Sequence, residues 1–117
     1  MNESVKLWRR MDQIAHSSKK DLLKFCTCLV DAYNHNLDLI IACAPSGENA
    51  VGHAYMDTAL GRAYLAYTSM TEAEKEYRGA SWDIVSARDV LNNLFNRRSA
   101  AAIVFNATDE HMMIVPL

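Results

Sequence analysis

The sequence lacks the features of a disulfide-stapled, nucleic-acid-binding or membrane-spanning protein. Its three cysteines are an odd number and the sequence shows no export signal, so we expect reduced thiols in a cytoplasm. A net charge of −2 leaves no basic stripe and argues against a nucleic-acid partner. The longest apolar runs, residues 39–45 and 100–105, are far shorter than a membrane span, so no membrane partner is expected.

Short catalytic and cofactor-binding motifs are also missing. The four glycines are scattered and form no phosphate-binding loop, and no GxSxG surrounds a serine. The four histidines stand singly, outside any HExxH or short Cys–His pair. His16 and His35 fall at predicted helix ends, whereas His53 and His111 fall in predicted strands and could be neighbours across a sheet. These patterns predict no catalytic residue, no metal site and no cofactor, and they favour a protein that is not an enzyme.

The sequence does contain two apolar stripes at helical spacing near its N-terminus. The stripe over residues 7–15 predicts one amphipathic helix, and Ser18 with Asp21 indicates the N-cap and acidic first turn of a second. The second stripe consists of Leu22, Leu23, Cys26, Leu29, Val30 and Tyr33. Because residues two apart on a helix point about 200° from each other, we expect Cys26 to face the core and Cys28 to face solvent.

The rest of the chain alternates short apolar runs with turn residues, which is typical of strands joined by loops and short helices. The predicted strands are 37–44, 51–58, 62–68, 82–85, 101–105 and 111–115, and the predicted short helices cover 69–76 and the residues after the cap at 86–89. Gly61 permits the positive φ that a hairpin between the second and third strands needs. The sequence therefore predicts a single α+β domain. It has two N-terminal helices over 1–36, then a mixed sheet of five or six strands over 37–117 with two short helices packed on one face.

Four residues are candidates for a binding site. Arg62, Tyr64 and Thr68 would share one face of their strand, because side chains alternate along a strand. An arginine and a tyrosine presented together are common at binding surfaces. Asn106, like Thr68, falls where a predicted strand ends, and sheets often place ligands at strand ends.

Ser69 and Glu72 have a structural explanation. The run Ser69-Met-Thr-Glu72 fits a capping box, in which the serine hydroxyl accepts from the Glu72 amide and the glutamate side chain reaches back. Such a cap contributes roughly 0.5–2 kcal/mol. We therefore expect these two residues to begin a helix rather than to catalyse a reaction.

The run GRAYLAYTS, residues 61–69, carries a resemblance to a known family. With other short matches it resembles the N-terminal domain of the SseB (enhanced serine sensitivity) family over residues 38–117. Those matches are Glu72-Ala73, 83–85 with 89–91, and 104–106. Two positions depart from the family pattern: Tyr67 stands where phenylalanine is usual, and Ala107 stands where proline is usual, which changes the turn there. The resemblance implies an α/β fold in a bacterial protein and a poorly defined role, with no catalytic residues to carry over. Longer SseB proteins have a second domain, which we expect this chain to lack.

Two functions are consistent with these observations. The first is a non-catalytic cytoplasmic interaction or regulatory module that binds an unidentified protein partner. A homodimer would cover an apolar edge of the sheet formed by Met112, Ile114, Pro116 and Leu117. The alternative is a small-ligand-binding protein or an enzyme with a cleft near Thr68, Ser69 and Asn106.

Overall fold

The computed structural model describes residues 2–45, 51–53, 55–75, 81–97, 100–107 and 110–116. Its four helices are α1 (Glu3–His16), α2 (Leu22–Asn34), α3 (Met70–Lys75) and α4 (Ala87–Arg97). Its strand segments are β1 (Asp38–Pro45), β2 (Val51–His53), β3 (Tyr55–Thr58), β4 (Gly61–Tyr67), β5 (Ser81–Ser86), β6 (Ala102–Phe105) and β7 (Met113–Pro116). The predicted α+β class with two N-terminal helices is confirmed. None of the helices in these ranges combines the length and the apolarity needed to cross a bilayer.

The sheet is mixed, as predicted. Strands β1, β4, β6 and β7 lie side by side in that order, β2 and β5 pair with β1, and β3 pairs with β4. Only β4 and β6 are parallel among the described pairings. The predicted strand over 51–58 comprises two segments, β2 and β3, so the seven segments correspond to the six predicted strands.

The parallel pair determines where the polar strand-end residues meet. Because β4 and β6 run in the same direction, their carboxyl ends lie at the same edge of the sheet. Thr68 directly follows β4 and Asn106 directly follows β6. The Asn106 amide donates to the Ala66 carbonyl at 2.9 Å, which extends the pairing by one residue. The topology therefore brings Thr68 and Asn106 together although 38 residues separate them.

The β3–β4 hairpin forms at the predicted glycine. Thr58 pairs with Gly61, which adopts φ +121°, in the left-handed region that side chains disfavour. The Thr58 hydroxyl accepts from the Leu60 amide at 3.2 Å and donates to the Gly61 carbonyl at 2.7 Å. This turn sets the start of β4.

The largest hydrophobic cluster joins the helices to the sheet. Four strands contribute to it, and β1 does so with four consecutive residues: Leu39, Ile40, Ile41, Ala42, Tyr64, Ala66, Tyr67, Ile103, Phe105, Met113 and Val115. The helices contribute Leu7, Met11, Phe25, Leu29, Val90 and Leu91. Phe25 meets Phe105 edge to face, with ring centroids 4.9 Å apart and an interplanar angle of 75°. Full burial of a side chain of this size contributes about 1.5–3 kcal/mol, so this contact fixes α2 against β6.

Helix α1 runs across the strand ends, as the contacts along one side of it show. That side carries Ser4, Trp8, Asp12 and His16, which recur every four residues. The Ser4 hydroxyl accepts from the Asp38 amide and the Trp8 indole donates to the Asp38 carbonyl, both at 2.9 Å. The first two members of the row therefore both contact the start of β1, and the third, Asp12, contacts Thr68 at the end of β4.

Helix α2 is rotated from its predicted orientation, and the prediction for its cysteines is wrong. Its buried residues are Phe25, Cys28, Leu29 and Ala32. Cys28 is therefore in the core and Cys26 is only half-buried, the reverse of what we expected. Apolar residues surround most of this helix, and the large Phe25 ring takes the core position against β6. As a consequence Leu23 is 78% exposed and Val30 is 56% exposed.

The start of α2 also differs from the prediction. Asp21, not Ser18, is the N-cap, and its carboxylate accepts from the Lys24 amide at 3.2 Å. Lys20 precedes it with φ +46°. The cap predicted at Ser86 is confirmed. Its hydroxyl accepts from the Asp89 amide at 3.4 Å at the start of α4.

Candidate functional site

Six polar residues converge at the edge of the sheet where β4 and β6 end. We refer to them as the strand-end cluster: Asp12, His16, Thr68, Glu72, Asn106 and His111. They come from α1, the end of β4, α3, the end of β6 and the turn before β7. The cluster therefore draws on elements from both ends of the sequence, and it contains Thr68 and Asn106 from the predicted site.

Thr68 and Asn106 are fully buried and bind each other. The Asn106 amide oxygen accepts from the Thr68 backbone amide at 3.0 Å, and its nitrogen donates to the Thr68 hydroxyl at 2.9 Å. The same nitrogen donates to the His111 carbonyl at 3.2 Å. Asn106 thus ties the end of β4 to the turn that carries His111, and both residues act as a frame for the side chains nearer the surface.

Asp12 extends this frame to α1. The Thr68 hydroxyl accepts from Asn106 and donates to the Asp12 carboxylate, with an oxygen–oxygen distance of 2.6 Å. A hydrogen bond to a carboxylate is short and strong because the acceptor is charged. The chain from Asn106 through Thr68 to Asp12 therefore holds the third residue of the α1 row over the end of β4.

His16, the next residue of that row, presents one nitrogen toward Glu72. Its Nδ1 lies 2.8 Å from the Asp12 backbone carbonyl, and a carbonyl only accepts, so Nδ1 carries the proton. In the neutral ring Nε2 then has a lone pair, and Nε2 lies 3.4 Å from the Glu72 carboxylate. A proton on Nε2 or a bound cation would each place positive charge between this nitrogen and the carboxylate oxygen.

Glu72 is the least expected member of the cluster, because glutamate is rarely buried and this side chain is only 2% exposed. Its Oε1 accepts from Lys75 Nζ at 3.0 Å, whereas its Oε2 is buried with no hydrogen-bond partner. The capping box forms only in part, since the Ser69 hydroxyl accepts from the Glu72 amide at 3.1 Å but the carboxylate points to His16 and Lys75. A buried carboxylate oxygen without a hydrogen-bond partner is costly, so Glu72 is the member of the cluster whose burial most needs an explanation.

His111 completes the cluster from the turn before β7. Its ring stacks on that of His16, with centroids 3.6 Å apart and an interplanar angle of 21°. One ligand atom each from His16, Glu72 and His111 lies within 4.8 Å of the others. The prediction that His111 lies in a strand is wrong, and the described pairings do not make it the neighbour of His53 that such a strand would have allowed. β7 begins only at Met113, and β2, which carries His53, pairs with β1 and not with β6 or β7.

Arg62 and Tyr64 lie apart from the cluster. They share a strand face with Thr68, but Arg62 is six residues away, roughly 20 Å along an extended strand. Arg62 is exposed, whereas Tyr64 is only 7% exposed and belongs to the core. The structure therefore divides the four predicted binding residues into a strand-end pair, a surface arginine at the other end of β4, and a core tyrosine.

A second surface feature is an apolar groove between α2, α4 and β7, with a volume of about 420 Å³. Its lining residues are Cys26, Leu29, Val30, Tyr33, Asn34, Leu91, Asn92, Val115 and Pro116. The exposed side chain of Leu23 continues its apolar wall along α2, seven residues before Val30. We refer to it as the α2–α4 groove.

The three cysteines do not form a reactive site. Burial raises the pKa of the Cys26, Cys28 and Cys43 thiols above that of an ordinary cysteine, and the Asp83 carboxylate raises the pKa of Cys43 further. A raised pKa keeps the sulfur in its unreactive thiol form at neutral pH. All three are present as free cysteines.

Sequence reasoning missed four members of the strand-end cluster, and one sequence signal pointed to two of them. Asp12 and His16 extend a row of hydrogen-bonding residues at four-residue spacing along α1, which a stripe of apolar residues alone does not require. Glu72 was explained as a cap, which left no reason to ask where its carboxylate goes. His111 had no local signal, because only the turn after β6 brings it to His16.

Comparison of the chain with known protein families, with curated proteins and with solved structures finds no match. The function is therefore argued from the geometry of the strand-end cluster and of the α2–α4 groove.

Proposed function

We propose that the protein binds a small cationic ligand, an ion or a small amine, at the strand-end cluster. The observation that carries this proposal is the buried Glu72 carboxylate, whose Oε2 has no partner and whose Oε1 faces His16. A cation placed there would supply the missing partner of the carboxylate and lie between it and His16 Nε2. The half-exposed His16 side chain, at 39%, leaves a path from solvent.

Titration of isotope-labelled protein, followed by amide chemical shifts, tests this proposal. The probes are divalent metal ions, and separately putrescine and ethanolamine in the presence of a chelator. We expect at least one probe to saturate with shifts at Thr68, Glu72 and Asn106, and we expect Glu72→Gln to abolish them. Glu74→Gln is the matched control, because Glu74 is exposed on the same helix. If no probe produces saturable shifts at these amides, the proposal is wrong.

A second function is supported by a different observation, the exposed apolar stripe beside the α2–α4 groove. We propose that this groove accepts an amphipathic helix of a protein partner, which would make the chain a cytoplasmic interaction module with an SseB-like fold. Leu23 and Val30 are 78% and 56% exposed, and together with the apolar lining of the groove they form a surface of the kind that marks interaction sites. Helices bind such grooves through side chains at spacings of three, four and seven residues.

Substitution at the groove tests this second function. Val30→Asp places a charge at the groove wall without entering the core, so it should abolish the recovery of a partner from native lysate. Leu60→Asp is the matched control, because Leu60 is 55% exposed at the β3–β4 turn and does not line the groove. Equal recovery by both variants would assign the partner to another surface.

The homodimer remains a proposal with its own test. Strand β7 pairs with β6 alone among the described strands, and Ile114 on it is 38% exposed. An unpaired strand edge is a template for pairing with a second chain. Light scattering across a range of concentrations should show a dimer that Ile114→Lys reduces to a monomer, and a wild-type chain that is monomeric throughout would exclude this edge as an interface.

A further inference from the structure

We infer that the cation at the strand-end cluster is a divalent transition-metal ion of the zinc class, bound by His16, Glu72 and His111. This inference rests on the proposed function and specifies its ligand. Two imidazoles and one carboxylate are a ligand set that zinc uses when one coordination position is left for water. The three residues lie on α1, α3 and the turn before β7, so the ion would join parts of the chain that are distant in sequence.

The spacing of the ligand atoms fits one metal ion after small movements. The atoms lie within 4.8 Å of one another, and His16 Nε2 and Glu72 Oε1 are already 3.4 Å apart. Bonds of about 2.0–2.1 Å around a tetrahedral zinc ion place neighbouring ligand atoms about 3.4 Å apart. His111 is the residue that must move, since its ring has to turn out of the stack on His16 so that one nitrogen points to the ion.

The orientation of His16 is already that of a metal ligand. Its Nδ1–H donates to the Asp12 backbone carbonyl, so Nε2 is the nitrogen available for coordination. Metal-binding histidines usually donate their second N–H to a carbonyl or carboxylate, which fixes the ring orientation. The Asp12 carboxylate also lies 3.5 Å from Nδ1 and is itself held by Thr68. Asp12 and Thr68 are therefore positioning residues for the ligand His16.

Glu72 would be the buried anionic ligand of the ion. Its side chain is 2% exposed, and its Oε2 has no hydrogen-bond partner. Oε1 is shared between Lys75 and His16, and Lys75 is 49% exposed at its side chain. Because Lys75 reaches the surface, its ammonium can withdraw to water when an ion binds. A dipositive ion compensates a buried carboxylate better than one ammonium at the solvent boundary does.

Competition with a chromophoric chelator tests the inference on the whole chain after metal removal. We expect one zinc ion per chain, and we expect Glu72→Gln and His111→Ala each to weaken binding by more than about a hundredfold, because loss of a direct ligand exceeds the loss caused by outer residues. Cobalt(II) should give ligand-field absorption bands with wild type and not with Glu72→Gln. Circular dichroism of each variant checks that the fold is retained.

His35→Ala is the matched control for the histidine substitution. His35 is exposed at the end of α2, and its Nδ1 lies 3.0 Å from the Asp31 carbonyl, the same arrangement that His16 has on α1. This variant should bind zinc as wild type does. Binding that His111→Ala and Glu72→Gln leave unchanged would overturn the inference.

The outcome also separates this inference from the function on which it rests. If putrescine or ethanolamine shifts the amides of the cluster while zinc does not bind, the metal assignment is wrong and the cation-binding proposal stands. If neither the amines nor any divalent ion binds, both are wrong.

Discussion

Asn106 combines a strained backbone with a complete set of buried hydrogen bonds. It adopts φ +56°, a region that asparagine tolerates better than most residues because its short polar side chain can bind locally. Here that side chain binds the Thr68 amide, the Thr68 hydroxyl and the His111 carbonyl. The backbone of Asn106 therefore forms the turn after β6, and its side chain aligns the strand-end cluster.

Two substitutions at Asn106 separate these contributions. Asn106→Ala leaves buried partners unpaired and keeps a Cβ atom at positive φ, so we expect a loss of roughly 3 kcal/mol in the free energy of unfolding. Asn106→Gly loses the same hydrogen bonds but relieves the strain, so it should be about 1 kcal/mol more stable than the alanine variant. Denaturant unfolding measures both values. Equal stability of the two variants would show that the positive φ costs nothing here.

The cysteines allow a pH-dependent test at the same scale. Burial raises the folded-state pKa of all three thiols, so the stability they contribute is present below the unfolded pKa and is lost as the pH rises through the folded pKa. Below that range the native thiols should react with iodoacetamide more slowly than those of the same chain in denaturant, and Cys26, the most exposed, should react first.

Peptide mapping by mass spectrometry at a series of pH values measures each rate. The rise in rate should occur at higher pH in the native chain than in the denatured chain. Superimposed pH profiles would contradict a raised pKa.

At the scale of the element, the sequence predicts which segments form helices and strands better than it predicts which side of a helix is buried. All six predicted strands and both short helices are present, because period-2 and period-3.6 patterns and the caps at Ser69 and Ser86 are local signals. The orientation of α2 is not local. Apolar residues surround most of that helix, so its core side depends on the ring of Phe105 that Phe25 meets.

The Phe25–Phe105 contact can be tested by a double-mutant cycle. Each phenylalanine is fully buried, so replacement by alanine should cost about 3–5 kcal/mol of unfolding free energy. The pair should show a coupling energy of about 0.5–1.5 kcal/mol, typical of edge-to-face rings. Leu23→Ala on the same helix is the control and should change stability by less than about 0.5 kcal/mol, because Leu23 is 78% exposed. A large loss of unfolding free energy in Leu23→Ala would contradict the orientation of α2 in the structure and favour the one expected from the sequence.

At the scale of the whole molecule, the strand-end cluster exists because of topology. Thr68 and Asn106 were candidates from the sequence, since both follow strands, but only the parallel pairing of β4 and β6 makes them neighbours. Asp12 and His16 join them because α1 crosses the strand ends. Residues that only the topology brings together leave no short motif in the sequence. For this reason the four histidines, which stand singly, predicted no site. Arg62 shows the converse, since it shares a strand face with Thr68 and yet lies at the opposite end of β4.

Zinc binding should raise the melting temperature of the whole chain, since the ion would join α1, α3 and the turn before β7. At a free zinc concentration about 100 times Kd, the gain is about 2.7 kcal/mol, or roughly 10 °C for a domain of this size. Excess chelator should reverse the rise. Scanning calorimetry of the metal-depleted chain, with and without zinc, measures it.

For Glu72→Gln we expect different effects on the melting temperature with and without zinc. With zinc, the variant should show no rise in melting temperature, whereas Glu74→Gln should respond as wild type does. Without zinc, Glu72→Gln should melt no lower than wild type, because it replaces a buried carboxylate that lacks a partner at Oε2 with a neutral side chain of the same shape. A metal-free variant that melts well below wild type would mean that Glu72 is retained for the stability of the fold. In that case its pairing with Lys75 and His16, rather than an ion, explains why a carboxylate is buried at the end of β4.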